Sequence, residues 1–130
     1  MISDARKALK RVVPDSDSDS DSSRVTARFV FGSDLPLFNG HFPGDPVLPG
    51  VLQVEMVRAV LDAATGSHHR ILSVRSAKFK RKIEPDEEID VALVSRVEAG
   101  EVRVKATFKV GDEVAALVSL VAKRMDGSAQ

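Results

Sequence analysis

His41, Gly50 and Glu55 lie close together in GHFPGDPVLPGVLQVE, the stretch from Gly40 to Glu55, and each has chemistry to offer. With an unperturbed pKa near ~6.5, an imidazole is the side chain best matched to proton exchange near neutral pH. Glu55 has Val51 and Leu52 one turn before it and Ala59 one turn after. Apolar surroundings favour the protonated form of a carboxyl group, which a general acid requires. The alternative for Glu55 is a turn toward solvent, or an i,i+3 contact with Arg58. Gly50 stands at a helix start, where the first N–H groups lack internal partners and the dipole favours negative charge. A glycine there lets an oxygen approach the backbone closely.

The elements that must position these residues follow from the pattern around them. Pro36, Pro43, Pro46 and Pro49 alternate with Gly40, Gly44 and Gly50, which predicts a stiff loop ahead of the helix. From Val51 to Ala64 there are no breakers, and Val51, Leu52, Val54, Val57, Val60 and Leu61 occupy nearly every side of the wheel, predicting a buried helix. Arg24–Phe31 reads as a strand ended by Gly32. Thr65–Arg70 is a loop whose His68 and His69 are given no task, and strand-like runs follow at Ile71–Ile83, Ile89–Val97, Val102–Val110 and Val114–Lys123. Ala99-Gly100 and Gly111-Asp112 mark hairpin turns. At the N-terminus, Ser3 caps a short helix with an apolar edge of Leu9, Val12 and Val13, stopped by Pro14. The segment DSDSDSDSS, residues 15–23, has nothing to bury and reads as a mobile linker. The expected architecture is an α+β domain over residues 24–125, with an antiparallel sheet curled around one long helix and a tail at 126–130.

Composition narrows the function. A chain of 130 residues supports one domain. Lys plus Arg and Asp plus Glu number 19 each, so no global field draws it to nucleic acid or an anionic membrane. Without cysteine there is no disulfide, thiolate metal site or cysteine nucleophile. The only aromatics are Phe, which disfavours a base-stacking platform. The absence of an apolar leader or membrane-length run makes cytoplasmic residence the simplest expectation.

The run G-H-F-P-x-x-P-x-x-P-G-V-x-x-x-E resembles the signature of bacterial 3-hydroxyacyl-acyl-carrier-protein dehydratases of the FabZ/FabA group, which have the hotdog fold. The likeness continues in AKFKRKIEPDEEIDVAL, Ala77–Leu93, which is similar to the family's A-x-F-K-R-x-V-x-P-G-D strand pair. The resemblance implies that His41 takes the proton α to the thioester and that Glu55 protonates the departing β-hydroxyl. Glutamate as the acid resembles the FabZ branch, which does not isomerise. It also implies that the Gly50 N–H is the oxyanion donor, that the Val47 carbonyl orients the imidazole, and that Phe42 and Phe79 join them in binding substrate. A donor fixed at a helix start suits the negative charge that enolisation places on the thioester oxygen.

The resemblance further implies a homodimer or trimer of dimers, with His41 of one subunit facing Glu55 of the other, no cofactor or metal, and a substrate carried by acyl carrier protein. The basic run Lys78, Lys80, Arg81 and Lys82 suits such an acidic partner, and is equally read as a solvated strand face. Phe79, alternating with the lysines, is expected to point inward, either lining an acyl tunnel or, as is commoner for such a residue, packing in the core. Two departures stand out. Ala59 replaces the glutamine usual one turn after the acid, and DSDSDSDSS replaces an apolar segment over the tunnel. The second points toward a specialised polyene, polyketide or secondary lipid pathway. The alternatives are a non-catalytic hotdog subunit that binds acyl chains or a partner, and a hotdog acyl thioesterase.

Overall fold

Alternation of apolar and polar residues over 88–97 and 101–108 dictates strands with one covered face, and the computed structural model has a sheet built around them. It describes residues 5, 8–14, 22–35 and 48–125. Six strands, β1 (Leu9–Pro14), β2 (Ser22–Val30), β3 (His69–Phe79), β4 (Glu88–Glu98), β5 (Glu101–Val110) and β6 (Glu113–Arg124), flank a single described helix of 16 residues, α1 (Gly50–Thr65). Their order is β1-β2-β4-β5-β6-β3, and all neighbours are antiparallel.

One face of the sheet takes α1. Ala27, Val91, Phe108, Ala116 and Phe79 stand opposite one another strand by strand, forming a row across β2, β4, β5, β6 and β3. Against such rows the helix buries Leu52, Met56, Val57, Ala59, Val60 and Leu61, together with the amide residue Gln53. The predicted strands after α1 and the predicted helix recur within a few residues. The turn at Ala99-Gly100 has positive φ at both residues (53° and 80°), as a two-residue hairpin requires.

Two expectations need correction. Leu9–Pro14 is a strand paired with β2, not the second half of a helix. Among the described residues ahead of it, Ala5 and Ala8 are helical and buried. The spacing of Leu9, Val12 and Val13 fits either element, and pairing with a neighbouring strand decides for β-branched residues. Nor is α1 covered on every side, because Val51 is 60% exposed and Glu55, Arg58 and Asp62 are only half-buried. Most of the Asp/Ser linker, residues 15–21, and the tail at 126–130 lie outside the described residues.

β3 is an edge strand of 11 residues, and nearly all of it is exposed, including Leu72 and Val74. An exposed edge of that length carrying apolar side chains is a template for another strand. No helix among the described residues is long and apolar enough to cross a membrane.

Candidate active site at the start of the helix

Pro49 sets the geometry of the helix start. It is the N-cap residue (φ −62°, ψ 144°), and its ring fixes φ and supplies no side-chain cap. Its carbonyl accepts from the N–H groups of Leu52 (3.1 Å) and Gln53 (3.2 Å). The N–H groups of Gly50 and Val51 have no hydrogen-bond partner among the described residues, and the first turn carries no acidic side chain. Two uncompensated donors at the positive end of a helix form a site for a negatively charged oxygen.

Gly50 leaves room for the ring of Phe79. A Cβ there would lie 2.9 Å from Cζ and 3.0 Å from Cε2 of Phe79. Phe79 shares the inner face of the sheet with Ala116, but at the open edge its ring remains 49% exposed and lies over the helix start. It therefore borders the Gly50 donor and is not part of the closed core.

Glu55 lies just over one turn further along α1. Its Oε2 is 3.1 Å from Nη2 of Arg58, the i,i+3 contact that sequence spacing allows, and the two side chains keep 21% and 19% exposure. That oxygen is shielded from solvent and accepts no aligned hydrogen bond, so the pair is held by charge and proximity alone.

His41, Phe42 and Val47 lie outside the described residues. Leu48, next in the chain, is buried and held from two sides: its N–H donates to the Ile83 carbonyl at 2.8 Å and its carbonyl accepts from Gln53 Nε2 at 3.2 Å. Sequence reading missed Gln53, although it is the one amide side chain on an apolar helix face.

The basic run divides. Lys78 and Lys80 are exposed on and beside β3. Arg81 is committed internally, its guanidinium donating to both carboxylate oxygens of Glu87 (3.0 and 2.9 Å), to Glu113 (2.9 Å) and to the Lys82 carbonyl (3.0 Å). Those bonds to Glu87, foremost, raise the Arg81 pKa and hold the Glu87 carboxyl below its usual value. Lys82 has an interaction of its own. His69 also departs from expectation. It begins β3, is buried, and places Nδ1 2.9 Å from Asp62 Oδ1, bordering a cavity of about 400 Å³ at the far end of α1.

A curled antiparallel sheet with one long helix of uncapped start defines a hotdog-fold protein. Comparison with known proteins carries the assignment further. Residues 17–119 match the ApeI-like family, described as ApeI dehydratase. The chain is 34% identical over 94 residues to the 3-hydroxyacyl-acyl-carrier-protein dehydratase FabZ of a Thermoanaerobacter species, a match covering 66% of each chain. It is 32% identical to the FabZ of Variovorax paradoxus over 111 residues, 75% of this chain and 73% of that one. Among solved structures, the dehydratase heterocomplex ApeI:P from Xenorhabdus doucetiae superposes with a TM-score of 0.66 at 18% identity, covering 89% of this chain and 96% of that chain. The chain belongs to the ApeI-like, FabZ-related dehydratase family. It spans about two thirds of the length of the Thermoanaerobacter relative.

Proposed function

We propose that this protein removes water from (3R)-hydroxyacyl thioesters borne by acyl carrier protein, giving trans-2-enoyl thioesters. The observation that carries the reading is the uncapped start of α1, where the Gly50 N–H has no partner among the described residues, on the same helix that holds the shielded oxygen of Glu55. In the proposed reaction His41 takes the α-proton, and the carbon–hydrogen electron pair moves toward the thioester carbonyl, whose oxygen gains charge at the Gly50 N–H. That charge then returns to form the double bond as the β-carbon–oxygen bond breaks. Glu55 supplies the proton with which hydroxide leaves as water. His41 has then gained one proton and Glu55 has lost one, and exchange with solvent resets the pair.

The two side chains are proposed to come from different subunits, with β3 pairing against β3 of a second copy. Support comes from the length and exposure of that edge, from exposed Leu72 and Val74, and from the open side of α1 at Val51. Acyl carrier protein, an acidic partner, is proposed to meet Lys78 and Lys80, with Arg81 reserved for its internal ties. A specialised polyene, polyketide or secondary lipid pathway is proposed from the Asp/Ser segment at residues 15–23, and residence in the cytoplasm is proposed separately. In a second reading the β3 edge is covered by a different hotdog chain, as the heterocomplex composition of the Xenorhabdus neighbour suggests.

The test is complementation. His41→Ala and Glu55→Gln, each inactive alone, are mixed, dissociated and reassociated, and assayed for enoyl product. A site shared across a two-fold interface leaves one intact site per hybrid dimer, so about a quarter of the wild-type rate returns. No recovery, with hybrids verified by mass, rejects the shared site.

A further inference from the structure

We infer that Gln53 is a positioning residue that orients the Gly50 N–H, an inference that rests on the oxyanion role proposed above for that donor. Three polar side chains are buried among the described residues: Gln53, His69 and Ser95. His69 is bonded to Asp62 and Ser95 to Ser23. Among the described residues Gln53 uses only half of its amide, since Nε2 donates to the Leu48 carbonyl while Oε1, shielded from solvent, accepts nothing. An unmet buried acceptor is destabilising, and an apolar side chain of the same length would avoid it. The retained donor therefore needs a purpose, and the local backbone supplies one.

The Gly50 N–H belongs to the Pro49–Gly50 peptide plane, whose carbonyl is that of Pro49. Gln53 grips this plane with its own backbone N–H at 3.2 Å. Its side chain grips the preceding plane through the Leu48 carbonyl, also at 3.2 Å. Between the planes lie the two dihedrals of Pro49. The pyrrolidine ring fixes φ at −62°, so ψ, at 144°, is the soft one. One residue thus holds both carbonyls that flank the soft dihedral. Leu48 is itself anchored one plane earlier, where its N–H donates to the Ile83 carbonyl at 2.8 Å. No other hydrogen bond among the described residues reaches the Leu48 carbonyl. Removing the amide releases the Leu48 side of this dihedral and leaves only the two backbone bonds to the Pro49 carbonyl to hold ψ, and with it the direction of the Gly50 donor.

The test uses Gln53→Met, which keeps length and apolar stem, and Gln53→Glu, whose ionised form offers the Leu48 carbonyl no proton. Thermal melting, steady-state kinetics with a 3-hydroxyacyl carrier-protein substrate, and amide relaxation of Gly50 are measured on the full chain. Gln53→Met is expected to melt within about 5 °C of wild type. Its kcat is expected to fall roughly 10- to 100-fold, with KM within about twofold, as a misdirected donor predicts. The Gly50 amide order parameter is expected to drop from the rigid range near ~0.85 toward ~0.6. Gln53→Glu should lose at least as much kcat. Unchanged kcat and unchanged Gly50 dynamics in Gln53→Met overturn the inference, as does a loss of activity that only tracks a loss of folded protein. If wild type dehydrates nothing, the proposed function fails while Gly50 relaxation still decides the role of Gln53: a looser amide supports it and an unchanged one refutes it.

Discussion

Gly50→Ala separates the stability role of the helix start from its chemical role. The new Cβ would sit 2.9 and 3.0 Å from two ring carbons of Phe79, against a comfortable carbon–carbon distance of about 3.5–4.0 Å. Relief requires the ring to move by about 0.5–1 Å, and a half-exposed side chain at a sheet edge can do so for roughly 0.5–1.5 kcal/mol. Replacing glycine by alanine within a helix returns about 0.8–1 kcal/mol. The two nearly cancel, so melting should change by no more than about 3 °C in either direction. Catalysis should respond differently. A methyl group beside an N–H that must receive an oxygen obstructs that donor, and loss of one oxyanion donor costs about 10²–10³ in kcat. The assay is steady-state formation of enoyl product alongside a thermal melt of the same preparation. Full activity with unchanged melting would refute the donor role of Gly50. Activity falling only in step with unfolding would show that the glycine merely accommodates Phe79.

Other perturbations probe separate parts of the account. Reversing charge at Lys78 and Lys80 together should raise KM for a carrier-protein substrate severalfold, and more at low salt, while leaving turnover of a short pantetheine thioester nearly unchanged. Val74→Lys, on the exposed β3 edge, should shift the protein toward monomer in analytical ultracentrifugation and abolish activity with it. Arg81→Met should destabilise by about 1–2 kcal/mol at neutral pH by releasing Glu87 and Glu113. Because Arg81 lowers the folded-state pKa of Glu87, that contribution is present above the ordinary glutamate value of about 4.3 and is lost as pH falls through the lower folded value. Melting curves of wild type and Arg81→Met should therefore converge in acid.

Much of this was legible in the sequence because periodicity and turn chemistry are local. Pro49 followed by an unbroken apolar stretch located the start of α1, and Ala99-Gly100 located a hairpin. What the sequence concealed depends on partners distant along the chain. Arg81 reads as one of four clustered cations until folding brings up Glu87 and Glu113, after which it is a strut. His69 reads as a loop residue until the left-handed turn at Gly66 (φ 74°) reverses the chain and places it against Asp62. Leu9–Pro14 satisfied a helical spacing, yet β2 offered its backbone a ladder. For Glu55 the sequence left open enclosure in an apolar helix or a contact with Arg58, and the open side of α1 leaves it beside Arg58. Asp86 adopts positive φ (67°) where the related strand pair has glycine, held there as its N–H donates to the Phe31 carbonyl and its carboxylate accepts from Ser33 N–H. An aspartate in the left-handed region is tolerable only with such local bonds.

The most direct measurement incubates the purified protein with a (3R)-3-hydroxyacyl carrier-protein thioester and follows the acyl chain by mass spectrometry. The account predicts catalytic loss of one water to give the trans-2-enoyl thioester, abolished in His41→Ala and in Glu55→Gln. Intact substrate after prolonged incubation with dimeric wild-type protein, or unimpaired turnover by both variants, would contradict it.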